Sequence, residues 1–161
     1  MELSNTIYSP SISFEDIKWL QSAWDGPIIV KGVQSVADAK ILADLGVQGI
    51  VLSSHGSRQL DRGLVPIEIL PEVVEAVGEK IDVFIDGSFM SGQDVYAAIA
   101  LGAKAVFVGR AYLYGVMADG ERGVEKVIEL MRRDFVNTMA LTGNRNLVEV
   151  RQTGAVLRNE Q

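Results

Sequence analysis

Four short apolar runs alternate with helix-forming stretches along this chain, and the polar residues that end the runs recur at near-regular intervals. Together these features predict an α/β fold of parallel βα units. The intervals are 24 residues from Lys31 to His55, 31 from His55 to Asp86 and 24 from Asp86 to Arg110. Near-continuous apolar strands imply a sheet covered on both faces. The regularity favours the (β/α) TIM-barrel type over the competing fold, an open doubly wound sheet, because no G-x-G-x-x-G turn follows the first strand. A complete eight-stranded barrel takes about 250 residues. The 161 residues here supply four βα units, a half barrel read as a single domain over 1–161.

Each element has a local cause. Ser13-Phe14-Glu15-Asp16 is a capping signal, and the helix it opens carries Ile17, Leu20 and Trp24 on one face until Gly26-Pro27 ends it. Ile28 to Gly32 reads as a short buried strand. Ser35 caps a helix whose apolar positions are Ala39, Leu42, Ala43 and Leu45, stopped by Gly46. Gly49 to Ser54 is the second strand. Pro66 to Val77 forms a helix with Ile67, Leu70, Val73, Val74 and Val77 inside. Asp82 to Gly87 is the third strand, and Ser91 caps a helix running to about Leu101. Lys104 to Arg110 is the fourth strand, followed by a longer helix from about Gly120 to Leu141. The polar segment 147–161 reads as a loose tail.

Composition narrows the function. Hydrophobic residues make up 48%, enough for a core, and the net charge of -6 argues against a general nucleic-acid surface. The absence of cysteine removes disulfides, thiolate metal sites and a cysteine nucleophile, and a single histidine removes a multi-histidine metal site, so no metal is expected. No apolar stretch is long enough to span a bilayer and Met1 to Asn5 carries no leader, so a cytoplasmic protein is the expectation.

The strand ends carry the chemistry. They are Lys31, then Ser53 with His55 and Arg58, then Asp86, then Arg110, and in a barrel they converge on the catalytic rim. His55 is placed to act as a base, and Arg58 to grip a carboxylate with paired hydrogen bonds. Alone, each has a plainer reading: Lys31 lying along the surface, Asp86 capping a turn, Arg110 a surface charge. Gly87-Ser88-Phe89-Met90 after the third strand and Gly109-Arg110 after the fourth suit a phosphate, because small residues let backbone N–H groups approach an anion. Barrel phosphate sites often follow strands 7 and 8, which would make these four strands 5–8.

Residues 10 to 150 resemble the C-terminal half of the FMN-dependent 2-hydroxy-acid oxidases and dehydrogenases, the glycolate oxidase, lactate oxidase and L-lactate dehydrogenase type. The segments that carry the resemblance are Pro27 to Gly32, Ser53 to Asp61 with its His-Gly-x-Arg-Gln-x-Asp pattern, Asp86-Gly87, Ala100 to Ala103 with Gly109-Arg110, and Thr138 to Gly143. The resemblance implies FMN as cofactor and a small (S)-2-hydroxy acid as substrate, oxidised to the 2-oxo acid. It casts His55 as the base that takes the hydroxyl proton while the Cα hydrogen passes to flavin N5, and Arg58 as the carboxylate clamp. It places Lys31 and Ser53 at the flavin, Asp86 at the ribityl hydroxyls, and Gly87, Ser88, Gly109 and Arg110 at the phosphate, with Phe89 and Met90 also among the cofactor-binding residues.

Two departures matter. Where the family reads Gly-Gly-Val-Arg after the aspartate, this chain has Gly87-Ser88-Phe89-Met90, one cation fewer toward the phosphate. A lost charge-assisted contact costs about 1.5–3 kcal/mol, roughly ten- to a hundredfold in FMN affinity. The family's first four strands, with an aspartate that orients the histidine and a substrate-binding tyrosine, have no counterpart in this sequence. The expected partner is therefore an N-terminal half, or a second copy completing the barrel. The alternatives are a non-catalytic phosphate- or flavin-binding half-barrel module and an assembly piece.

Overall fold

The computed structural model describes residues 11–157. Its elements are α1 (Phe14–Ala23), β1 (Ile29–Val33), α2 (Val36–Asp44), β2 (Gly49–Leu52), a short turn of helix at His55–Ser57, α3 (Pro66–Val77), β3 (Asp82–Asp86), α4 (Gly92–Ala100), β4 (Val106–Phe107), α5 (Arg110–Leu141) and α6 (Leu147–Thr153). All four strands are parallel and lie in chain order, β1-β2-β3-β4. A doubly wound sheet reverses its strand order at a switch point. An unreversed order with a helix in every crossover is that of consecutive barrel units, and the fold is α/β of the TIM-barrel type in part.

The helix starts obey their caps. Ser13 donates its N–H and hydroxyl to the Asp16 carboxylate at 2.6 and 2.9 Å. Those donors, the backbone N–H first, hold the Asp16 carboxyl below its usual range. Ser35 accepts the Asp38 N–H at 3.0 Å, and Ser91 accepts that of Asp94 at 3.1 Å. Register then sorts the strand residues by face. Ile29, Gly49 and Asp82 lie side by side, as do Lys31, Val51 and Phe84, while Val30, Ile50 and Val83 point the other way. The second set packs on the helices, with Ile50, Leu52, Ile85, Leu70 and Val73 fully buried.

The first set meets no helix layer, and this corrects the expectation of a sheet covered on both faces. Ile29 and Phe107 are each 48% exposed, and Phe107 meets Phe84 edge to face at 5.8 Å. This is the face that lines a barrel, and the four strands leave it open. For the same reason β1 is a half-exposed edge strand and not a buried one. The fourth strand is shorter than Lys104–Arg110: it has one neighbour, and its ladder pairs Val106 with Ile85 and Phe107 with Asp86. Leu20 and Trp24 of the first helix face are exposed too, leaving Ile17 as its buried residue.

Two stretches are more ordered than the sequence suggested. Arg110 opens a helix at once, and that helix breaks at Asp119-Gly120 before continuing to Leu141. The two arms fold back so closely that a Cβ on Gly115 would lie 2.7 Å from the Gly123 carbonyl oxygen. The expected loose tail is a helix over 147–153, because Val150 is fully buried beside Tyr96 and Ile99. Asn144 donates to the Tyr96 hydroxyl at 2.9 Å and accepts from Thr153 at 2.8 Å, pinning the segment. Among the described residues no helix is long and apolar enough to cross a membrane.

Candidate active site

The carboxyl ends of the parallel strands meet at one rim. Lys31, on β1, reaches across β2 to donate to Ser53 Oγ at 2.9 Å, and pairs with Asp86 at the tip of β3 at 2.8 Å. Ser53 Oγ also accepts the His55 N–H at 3.0 Å. From the next pair of strands, the Arg110 guanidinium donates to Ser88 Oγ at 3.0 Å. The tips of β1, β2 and β3 are thus tied together by polar contacts, and the loops after β3 and β4 by another. Among the described residues no cluster of acids and histidine could hold a metal ion.

The backbone at the rim is unusual. His55, Gly56 and Ser57 all have positive φ, at 52°, 68° and 58°. Side-chain-bearing residues rarely adopt this left-handed region, and each costs on the order of 1–3 kcal/mol that the surrounding contacts must offset. The turn is closed by the Ser57 N–H donating to the Ser54 carbonyl at 2.9 Å. It swings the imidazole back over β1, where Gly32, itself at φ 100°, leaves room: a Cβ there would lie 2.6 Å from His55 Cε1. The His55 ring has no hydrogen-bond partner among the described residues and is exposed. Arg58 follows the turn as an exposed cation with no ion pair or hydrogen bond among the described residues.

Gly87 at φ 114° and Ser88 at φ 61° turn the chain sharply after β3. Between this turn and the His55 loop runs a groove of about 500 Å³ whose lining includes Gly56, Ser57, Gly87, Ser88 and Arg110. Gly109 leads into α5 with open space where a Cβ would stand. Three further residues expected at a cofactor lie around this rim, Phe89 among the lining of the same groove. Phe89 packs its ring into the core, 6% exposed, because an aromatic after a strand is worth more buried than wet. Met90 is half exposed and lines a surface pocket together with Met131 and Asp134 of α5, and its N–H is taken by Asp94 at 2.9 Å. Ser53 is fully buried, with Lys31 across it. The sequence reading missed Gly32, whose signal is a glycine at the end of an apolar strand, where a close approach is the usual reason for it.

The sequence profile of the FMN-dependent dehydrogenases matches residues 1–157. The chain is 44% identical over 146 residues to L-lactate dehydrogenase of Caulobacter vibrioides, covering 91% of this chain and 38% of that protein. It is 50% identical over 143 residues to glycolate oxidase 3 of Arabidopsis thaliana, covering 89% and 39%, and 47% identical over 144 residues to human 2-hydroxyacid oxidase 1, again covering 89% and 39%. The chain therefore spans under two fifths of the length of these curated relatives. The crystal structure of mandelate oxidase superposes with a TM-score of 0.85 at 38% identity, covering 88% of this chain and 41% of that one.

Proposed function

Since the chain belongs to the FMN-dependent dehydrogenase family, we propose that it forms strands 5–8 of a barrel that oxidises a small 2-hydroxy acid to the 2-oxo acid. The observation that supports this reading most is the junction of Lys31, Ser53, His55 and Asp86 at one strand-end rim. The donor set suits FMN. Arg110, Ser88 and the Gly87 turn border a groove whose small residues admit a phosphate, with Gly109 leading into Arg110. Asp86 offers an acceptor for ribityl hydroxyls, and Lys31 a cation for the electron-rich edge of the ring.

Each side chain then has a task. Arg58, with no ion pair or hydrogen bond among the described residues, holds the substrate carboxylate in a paired contact. The exposed His55 imidazole takes the proton from the substrate hydroxyl as the C–O bond gains double-bond character. FMN, when bound, supplies at N5 the acceptor for the hydrogen and electron pair leaving the substrate Cα. Lys31 offsets negative charge on that side of the rim, which favours the loaded state. An unpartnered imidazole lacks the orienting carboxylate that fixes its tautomer. The open inner sheet face, with Ile29 and Phe107 half exposed, lacks the four strands that would fill it. Both needs are met by one partner, an N-terminal half of the same barrel or a second copy of the chain. The chain by itself is then a weak catalyst.

The test is co-production with the first four βα units of a relative. The expected result is a stable complex that quenches flavin fluorescence on binding FMN and oxidises a 2-hydroxy acid, with the His55→Ala complex binding FMN normally and turning over at least a hundredfold more slowly. A well-folded complex that takes no FMN rejects the reading.

A further inference from the structure

We infer that Ser53 is a positioning residue for His55: its buried hydroxyl imposes the left-handed backbone that aims the imidazole across Gly32. The inference rests on His55 being the base of the proposed reaction, and it gives Ser53 a task other than touching the cofactor.

Three observations carry it. The side chain of Ser53 is fully buried. A hydroxyl has two acceptor lone pairs, and here two donors use them: Lys31 Nζ at 2.9 Å and the His55 N–H at 3.0 Å. The residue receiving this restraint is the one with the least reason to sit at φ 52°, a side-chain-bearing residue that begins a run of three left-handed positions. Nothing else in the described structure accepts from the His55 N–H, so the hydroxyl is what holds the start of the run. Lys31, fixed at its far side by Asp86 at 2.8 Å, keeps the Ser53 rotamer in place. The serine therefore links the β1 and β3 tips to the direction in which the only histidine of the chain points.

That uniqueness makes the test direct, because every imidazole signal in the proton spectrum belongs to His55. The full chain is labelled and three forms are compared: wild type, Ser53→Ala and Ser53→Thr. In the wild type the His55 Cε1 proton shows a through-space contact to the Gly32 α protons, and the His55 amide exchanges slowly. Ser53→Ala loses that contact and at least tenfold of the amide protection, while the amides of Ile50 and Ile85 in the sheet keep theirs. Ser53→Thr, which retains a hydroxyl, restores both signals. A wild-type chain without the contact to Gly32 overturns the inference, and this arm needs no variant to fold. So does a folded Ser53→Ala chain whose His55 signals match the wild type. None of these readings uses FMN or turnover, so they succeed or fail apart from the proposed reaction.

Discussion

Replacing Gly32 by alanine separates the two tasks this glycine performs. The first is conformational. At φ 100° a residue with a Cβ is strained, and the substitution destabilises the chain by about 1–3 kcal/mol. The second is steric. The new Cβ would stand 2.6 Å from His55 Cε1, against 3.4 Å for the near limit of ordinary contact. The imidazole must therefore retreat by about 0.8 Å or turn away, and a displacement of about 1 Å at a reacting group costs roughly a hundredfold in rate. Gly46 provides the control: it sits at φ 79° with nothing within 4 Å of its Cβ position. Urea unfolding of the isolated chain should show a comparable loss for Gly32→Ala and Gly46→Ala. The His55 resonances should move in the first variant alone, and in the completed barrel the first alone should lose about two orders of magnitude in turnover with FMN still bound. If Gly46→Ala moves the His55 resonances as far, or Gly32→Ala leaves them in place, the seating of the imidazole on Gly32 is refuted.

Arg110→Met should weaken FMN binding to the completed barrel by roughly ten- to a hundredfold, the loss of one charge-assisted contact to an anion, while riboflavin, which has no phosphate, binds equally to both forms by fluorescence titration. Gly123→Ala should destabilise the chain by about 1–3 kcal/mol through overpacking, read as a lower urea midpoint, because its Cβ would collide with the backbone of Gly115 in the facing arm of α5. The carboxyls of Glu149, Asp16 and Glu129 are held below their usual range, by hydrogen bonds from Arg145, Ser13 and Lys126 first in each case. A depressed folded-state pKa contributes stability that is present above the unfolded value and lost as pH falls through the folded one. The urea midpoint should therefore fall as pH drops below about 4.5, the ordinary glutamate value, and Glu149→Gln should flatten part of that fall while lowering the midpoint at neutral pH.

The elements that the sequence announced are those with local causes. Ser13, Ser35 and Ser91 start helices where their hydroxyls and partner acids require, and Pro66–Val77 has the bounds that its apolar period sets. The misplaced elements depend on neighbours far along the chain. The fourth strand shrinks to Val106–Phe107, whose ladder partners among the described residues are Ile85 and Asp86 of β3. The segment 147–153 is polar in its own pattern, yet folds as α6 because Val150 finds Tyr96 and Ile99 some 50 residues earlier. The first arm of α5, ahead of the expected start at about Gly120, is held by a contact along the chain, where Gly115 and Gly123 of the two arms touch.

The same division runs through the site. That Lys31, Ser53, His55 and Asp86 gather at one rim was legible because strand ends recur at near-regular intervals and meet on one side of a barrel. What was not legible is how they are aimed. That depends on contacts between residues that sequence spacing does not relate: Gly32 under His55, Ser53 between Lys31 and the His55 N–H, Ser88 under Arg110. Each pairs a residue of one strand-end loop with a residue of another or with a buried neighbour. Ser88 makes the point most sharply. In sequence it is a substitution in a glycine pair, with a loss of conformational freedom at φ 61°. In the fold its hydroxyl accepts from Arg110, which lines the groove between the two loops, so the positive φ at Ser88 comes with a fixed direction for the Arg110 guanidinium. Met90 adds no cation here, and Arg110 is the one arginine lining this groove among the described residues. The proposed phosphate site would therefore rely on positioning in place of charge, and loss of either Ser88 or Arg110 should weaken FMN binding more than loss of any one residue at the Lys31 end.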